Sequence, residues 1–363
     1  MKIVIFGLTI SSSWGNGHAT LWRGLCSALA RAGHRITFME PNTPYYSAHR
    51  DFDALDDGTL VLYDDWAAVR SQAKREIKDA DAAIVTSYCA DAIEAADLIR
   101  SDSRALAVFY DLDTPVTLSH FLRGETVPYI GARGLDDYDL VLSYTGGAAL
   151  VALRERLGAR RVLPLYGHVD PDVHRPVAPS TAYRCDLSYL GTYSTDRQAA
   201  LEALFLAPAR RCPDLRFIIG GAQYPEDFPW LANLFFVRHL PPAEHPAFFC
   251  SSRLTLNVTR RVMAEMGWCP SGRLFEAAAC GTSIVTDNWA GLDAFLTPRE
   301  EIIVAANSEQ VLAALALSDA ELRRIGAAAR EHVLAEHTSA RRAHELIAAI
   351  EGVRSTQPEL ERA

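Results

Sequence analysis

With 363 residues, 49% of them hydrophobic, the chain is long enough for about two domains, each with its own apolar core. A net charge of −9 disfavours nucleic acid as a partner, because proteins that neutralise phosphates are ordinarily basic, and no apolar run approaches the roughly eighteen residues that span a bilayer. Seven cysteines, scattered and without a CxxC pair, point to reduced thiols in a cytoplasm and away from a disulfide framework or a zinc site.

Lys2 to Gly7, KIVIFG, reads as a buried strand. The first ten residues carry one lysine and a short apolar run without a small-residue cleavage site, so a strand is expected there and not a signal peptide. Ser11 to Gly17 is a polar loop containing Gly15, Asn16 and Gly17. It leads into a helix from about His18 to Ala32, stopped by Gly33, and Arg35 to Glu40 returns as a second strand. In a parallel sheet such a loop lies at the carboxyl edge, where ligands bind and where a helix start favours anions. GNGH is not GxGxxG, and no acidic residue follows at the dinucleotide spacing of about twenty, so a dehydrogenase is disfavoured. His18 is either a cap-region histidine or a site group.

Strands are expected at Thr59 to Tyr63, Ala82 to Thr86, Leu106 to Tyr110 and Leu140 to Ser143, with helices between them, which is the alternation of a doubly wound α/β sheet. Tyr110-Asp111-Leu112-Asp113-Thr114-Pro115 sets two carboxylates at the end of a buried strand, where open α/β sheets keep their chemistry. Asp113 there either caps the next helix or works in a site. Leu163 to Pro176, with Pro171 and Pro176, reads as an exposed connector. Asp186 to Gly191 then restarts the pattern: a strand, a polar loop from Thr192 to Asp196, and a helix from Arg197. Arg197 is placed either to hold a diphosphate as a fork of donors or to lie solvated in a first turn. A further strand is expected at Leu215 to Gly220, and Asn257, Thr259 and Arg260 follow another.

Cys269 to Asp287, CPSGRLFEAAACGTSIVTD, reads as loop, helix, glycine stop and short buried strand. Pro270 and Ser271 open and cap the helix, and Gly281 supplies the left-handed residue after its last turn. Leu274, Phe275 and Ala278 share one face, while Arg273, Glu276 and Cys280 share another. A helix start with an added arginine suits phosphate, and a carboxylate one turn on can accept from sugar hydroxyls. The competing reading is an i, i+3 surface pair worth a few tenths of a kcal/mol. From Asp319 to Ile350 two amphipathic helices are expected, broken near Glu336-His337-Thr338, and 353–363 are expected to fray.

The run RLFEAAACGTSIVTDNWAGLDAF resembles the nucleotide-sugar signature of GT-B glycosyltransferases of the retaining, glycogen-synthase-like kind. It is most similar to the CgeB spore-maturation branch, whose usual form is "PS-R-FE-AACG" and which shares the "D-TP" seen here at Asp113. The resemblance implies an α/β, GT-B architecture: two Rossmann-like doubly wound domains facing a central cleft. The acceptor domain would be 1–165 and the nucleotide-sugar donor domain 166–337, with 338–363 crossing back. It implies a hexosyltransferase that moves a sugar from a nucleoside diphosphate sugar, a UDP-sugar by preference, to an acceptor hydroxyl or related nucleophile with retention. No cofactor and no metal ligand are implied. Glu276 would hold the donor ribose, with Arg273, Ser271, Gly272, Leu274, Phe275, Arg197, Thr192 and Arg260 around the nucleotide. His239 and Leu240 would form the wall at the base, and Gly15, Asn16 and Gly17 a cleft loop. Asp113, with Asp111 second and His18 beside them, would touch acceptor or donor sugar. One departure is Trp268, eight positions before Glu276, where the broader families carry a first glutamate; Glu265 is the nearest substitute in sequence. A non-catalytic nucleotide-sugar-binding protein and a sugar-nucleotide epimerase on the same fold remain open alternatives.

Overall fold

The structure is a computed structural model that describes residues 1–356; positions 357–363, most of the tail expected to fray, lie outside the described residues. Contacts divide the chain into two compact units, one of Met1–Ser13, His18–Tyr166 and Ser339–Ala363, the other of Trp14–Gly17 and Gly167–Thr338.

The first unit is a seven-stranded, all-parallel sheet. In chain order its strands are β1 (Lys2–Phe6), β2 (Arg35–Pro41), β3 (Thr59–Tyr63), β4 (Ala82–Thr86), β5 (Leu106–Asp111), β6 (Leu140–Ser143) and β7 (Val162–Pro164), arranged β3-β2-β1-β4-β5-β6-β7. Both faces of such a sheet are covered by helices, so its strands are near-continuous apolar runs; every residue of β4 and β6 is buried. The first helix runs His18–Arg31 and turns back at Gly33, whose φ of 81° is the left-handed conformation glycine adopts without strain. Its buried face, Trp22, Leu25 and Leu29, joins a core that also takes Ala343, Leu346, Ile350 and Val353 from the last helix, Ser339–Thr356. The helix therefore continues through 353–356, where fraying was expected, because Val353 is 5% exposed and held in that core.

The second unit repeats the plan with six parallel strands, β8 (Cys185–Leu190), β9 (Phe217–Gly221), β10 (Leu234–Arg238), β11 (Ser252–Asn257), β12 (Ile284–Thr286) and β13 (Ile303–Val304), in the order β10-β9-β8-β11-β12-β13. The helix expected from Arg197 is irregular. It opens as a 3₁₀ turn, Thr195–Arg197, passes through a π segment, Glu202–Leu206, and ends as α-helix at Ala207–Arg211. Pro208 explains the widening, since it has no N–H to give the carbonyl four residues back and its ring crowds that turn. The helix Asp319–Glu336 breaks at His337 before Ser339–Thr356. None of the seven cysteines forms a disulfide.

Candidate functional site

Chain connections leave β8 toward β9 on one side, while β11 lies on its other side. The carboxyl ends of β8 and β11 thus form a topological switch point, where open α/β sheets bind ligands. The helix Gly272–Ala279 starts beside it. Ser271 is its N-cap in extended conformation, but the serine side chain makes no cap hydrogen bond, so the amides of Gly272 and Arg273 have no partner inside the helix.

Arg273 bridges the two strand ends. Its Nη1 donates to Asn257 Oδ1 at 2.9 Å, at the carboxyl end of β11, and its guanidinium carbon lies 5.1 Å from the ring centre of Tyr189 on β8. Asn257 is held in turn, its amide nitrogen donating to Thr286 Oγ1 at 3.0 Å. A Cβ on Gly191 would stand 2.8 Å from both Arg273 Nη2 and Tyr189 Oη, so any larger residue there must push the guanidinium or the ring aside. Gly191→Ala is therefore expected to dislodge Arg273 and weaken anion binding while leaving the fold intact by circular dichroism. Burial pushes the Arg273 pKa down, with the neighbouring Arg197 adding to the effect. Arg197 donates to the Thr192 carbonyl at 3.0 Å, and its Nε is buried without an acceptor. Two guanidiniums close enough to repel, one with a donor lacking a partner, have the chemistry that could hold an anion. Arg260 is instead committed to Asp196, Nε to Oδ2 at 3.0 Å.

Glu276 and Arg273 do not form the surface pair. Glu276 Oε2 faces His245 Nδ1 at 3.7 Å and His174 Nε2 at 4.0 Å. Burial raises the Glu276 pKa, but His174, His245 and Arg273 outweigh it and hold the carboxyl at about 2, so the group is an ionised acceptor. Burial lowers the pKa of His174. These three groups, with ligand atoms within 4.8 Å of one another, could also hold a cation, and neither histidine was singled out from the sequence. His174 stands in a stretch read there only as connector and His245 a few residues past the base wall, and no local pattern signals that segments about seventy residues apart meet at one carboxylate.

Other expected donor residues separate into those that can reach a ligand and those that cannot. The side chains of Leu274 and Phe275 are 0% exposed, and the Leu274 amide already donates to the Ser271 carbonyl at 3.0 Å; both serve the core, as apolar residues facing inward on this helix must. The Leu240 side chain is buried too, and its carbonyl lies 3.3 Å from His245 Nε2. His239 takes a positive φ of 48°, and its ring lies 4.3 Å from Trp14, which heads the Gly15-Asn16-Gly17 loop. Trp268, also at positive φ (51°), is partly exposed and packs where a Cβ on Gly291 would meet its ring at 2.5 Å. Glu265, the nearest substitute in sequence, is exposed and lies 3.8 Å from Arg261 on its own helix.

In the first unit His18 begins the helix that follows β1 and its loop, and its Nε2 lies 3.5 Å from Asp113 Oδ2, just past β5. Asp113 is an N-cap whose side chain makes no cap hydrogen bond, so its carboxylate is directed to His18 and not to the helix. Tyr88, at a positive φ of 64°, adds its ring 5.9 Å from His18; Asp113 is among the groups that raise its pKa, after burial. Asp111, expected to reach acceptor or donor sugar, is instead fully buried, and its Oδ1 accepts from the Asp113 amide and Thr117 Oγ1, both at 3.1 Å. It shapes the loop that presents Asp113. Burial pushes its pKa up to about 6. The folded state thus holds this proton more tightly than the unfolded chain, and stability present near pH 4 is lost as pH rises through about 6. Denaturant unfolding across that window should show the fall in the natural protein and lose it in Asp111→Asn.

The two parallel-sheet Rossmann-like units are those of the GT-B glycosyltransferase fold. Sucrose-phosphate synthase from Thermosynechococcus elongatus superposes with a TM-score of 0.74 at 12% identity, covering 98% of this chain and 100% of that one. An alpha-glucosyltransferase in complex with UDP-glucose and DNA containing an abasic site gives 0.72 at 14%, with coverage of 97% and 99%. Anabaena HepE in complex with UDP and glucose gives 0.67 at 12%, with coverage of 97% and 100%. Identities this low show a shared fold. The family described as Glycosyl transferase-like matches residues 197–348, the stretch that contains Arg197, Arg273 and Glu276. No curated protein matches the chain. No helix among the described residues is long and apolar enough to cross a membrane.

Proposed function

We propose that this chain is a metal-independent GT-B glycosyltransferase of the retaining, CgeB-like kind. It takes a hexose from a nucleoside diphosphate sugar, with UDP-sugar as the preferred donor, and passes it to an acceptor hydroxyl or related nucleophile in the cytoplasm. The observation that carries the reading is the pairing of two cations with an ionised carboxylate one helical turn away: Arg273 and Arg197 beside the open amides at Gly272, and Glu276 held at about 2. The cations and amides match a diphosphate, and the carboxylate matches the ribose hydroxyls that follow it. UDP or UDP-glucose in the complexes of HepE and alpha-glucosyltransferase supports the choice of uridine. His18 and Asp113 are the groups we assign to the acceptor side. The net charge of −9 favours an acceptor other than nucleic acid.

Catalysis in this reading is electrostatic. As the glycosidic bond to the donor phosphate breaks, negative charge grows on the leaving diphosphate, and fixed guanidinium and amide donors stabilise it without reorganising. No ion bridging the diphosphate is called for. Donor turnover is accordingly expected to proceed in buffer free of magnesium and manganese, measured as nucleoside diphosphate released over many cycles. A strict need for either ion would contradict the assignment. Single-turnover release without recycling would favour the non-catalytic binding protein over the enzyme.

A further inference from the structure

The convergence on Glu276 has a second meaning. His174 is 1% exposed, and its Nε2 is buried with no hydrogen-bond partner; His245 Nδ1 is buried and unpartnered as well. Both point at Glu276 Oε2 from 4.0 and 3.7 Å, too far for hydrogen bonds. The other nitrogen of His245 lies 3.3 Å from the Leu240 carbonyl. A carbonyl only accepts, so that nitrogen carries a proton and Nδ1 is the ring atom turned toward the carboxylate. A divalent cation between these nitrogens and the carboxylate oxygen would give both buried nitrogens the partner they lack.

The dimensions suit one. Ligand atoms within 4.8 Å of one another must each close in by about half an ångström or more to meet an ion with bonds of roughly 2.0 to 2.2 Å in tetrahedral geometry. Two imidazoles and one carboxylate are the donor set of zinc and its first-row neighbours, whereas magnesium and calcium take oxygen ligands. We propose that His174, His245 and Glu276 form a binding site for a divalent transition-metal ion of the zinc type, with a fourth position open. It shares Glu276 with the donor reading but does not depend on it, because the histidines face Oε2 and Oε1 is left for a ribose hydroxyl. The seven cysteines contribute nothing to the site.

The test is titration of the full chain, stripped of metal by a chelator and dialysed, with cobalt(II). One equivalent should develop the visible absorption of a four-coordinate site and be displaced by one equivalent of zinc(II). His174→Ala and His245→Ala should each weaken cobalt binding by more than the roughly 10- to 100-fold lost when an outer-shell partner is removed, while His120→Ala, at an exposed histidine of the first unit, changes nothing. Circular dichroism checks that the variants fold, and His174→Gln, closer in size, replaces His174→Ala if that variant does not. Absence of a cobalt spectrum in the natural protein, or binding that survives both substitutions, overturns the proposal. UDP titrated into the same samples reads the donor site separately, so a natural protein that binds UDP but no cobalt counts against the metal site alone.

Discussion

Arg273→Ala is expected to lower donor-dependent turnover by about 100- to 1,000-fold, the cost of removing one preorganised donor from a developing anion. The side chain is fixed before any ligand arrives, by Asn257 Oδ1 at 2.9 Å and by the Tyr189 ring, so its donors need no ordering when charge appears. Arg273→Lys should recover little, because an ammonium cannot bond Asn257 and a phosphate oxygen in the same planar fork. The effect should fall mainly on kcat, since the diphosphate carries more charge as it leaves than in the intact donor. Equal kcat in the folded variant would remove Arg273 from the reaction.

The second large effect is at Glu276. Charge-assisted bonds to ribose hydroxyls are worth about 1.5 to 3 kcal/mol, so Glu276→Ala should weaken nucleotide binding by about ten- to a hundredfold. Glu276→Gln should lose less, its amide oxygen still accepting one bond. A surface pair with Arg273 would instead cost a few tenths of a kcal/mol in stability and nothing in affinity. The structure already disfavours that alternative, because each group faces other partners. Calorimetric titration of UDP into both variants measures the difference.

The elements themselves were well marked in the sequence. Thr59–Tyr63, Ala82–Thr86 and Leu140–Ser143 are strands at the expected bounds, because apolar runs between polar loops leave little choice in a sheet buried on both faces. The break at Glu336-His337-Thr338 and the left-handed turn at Gly281 (φ 76°) were equally legible. What failed was long-range. Asp111 carries the same local signal as Asp113, and only the fold shows that one carboxylate is enclosed while the other meets His18. Leu274 and Phe275, placed by resemblance around the nucleotide, turn their side chains into the core, as their shared apolar face with Ala278 indicates. His174 and His245, about seventy residues apart, have no local pattern that joins them, and Pro208 widens a helix that reads as regular.

The central claim is that the second unit holds a nucleoside diphosphate at the ends of β8 and β11. Thermal melting with uridine, guanosine, thymidine, adenosine and cytidine diphosphates and their sugars tests it most directly. A ligand at about a hundred times its dissociation constant adds roughly 2.7 kcal/mol, and at about 2 to 4 °C per kcal/mol for a domain of this size the melt should rise by several degrees. The account predicts that rise for the uridine compounds and its loss in Glu276→Ala; a flat response to every nucleotide would contradict it.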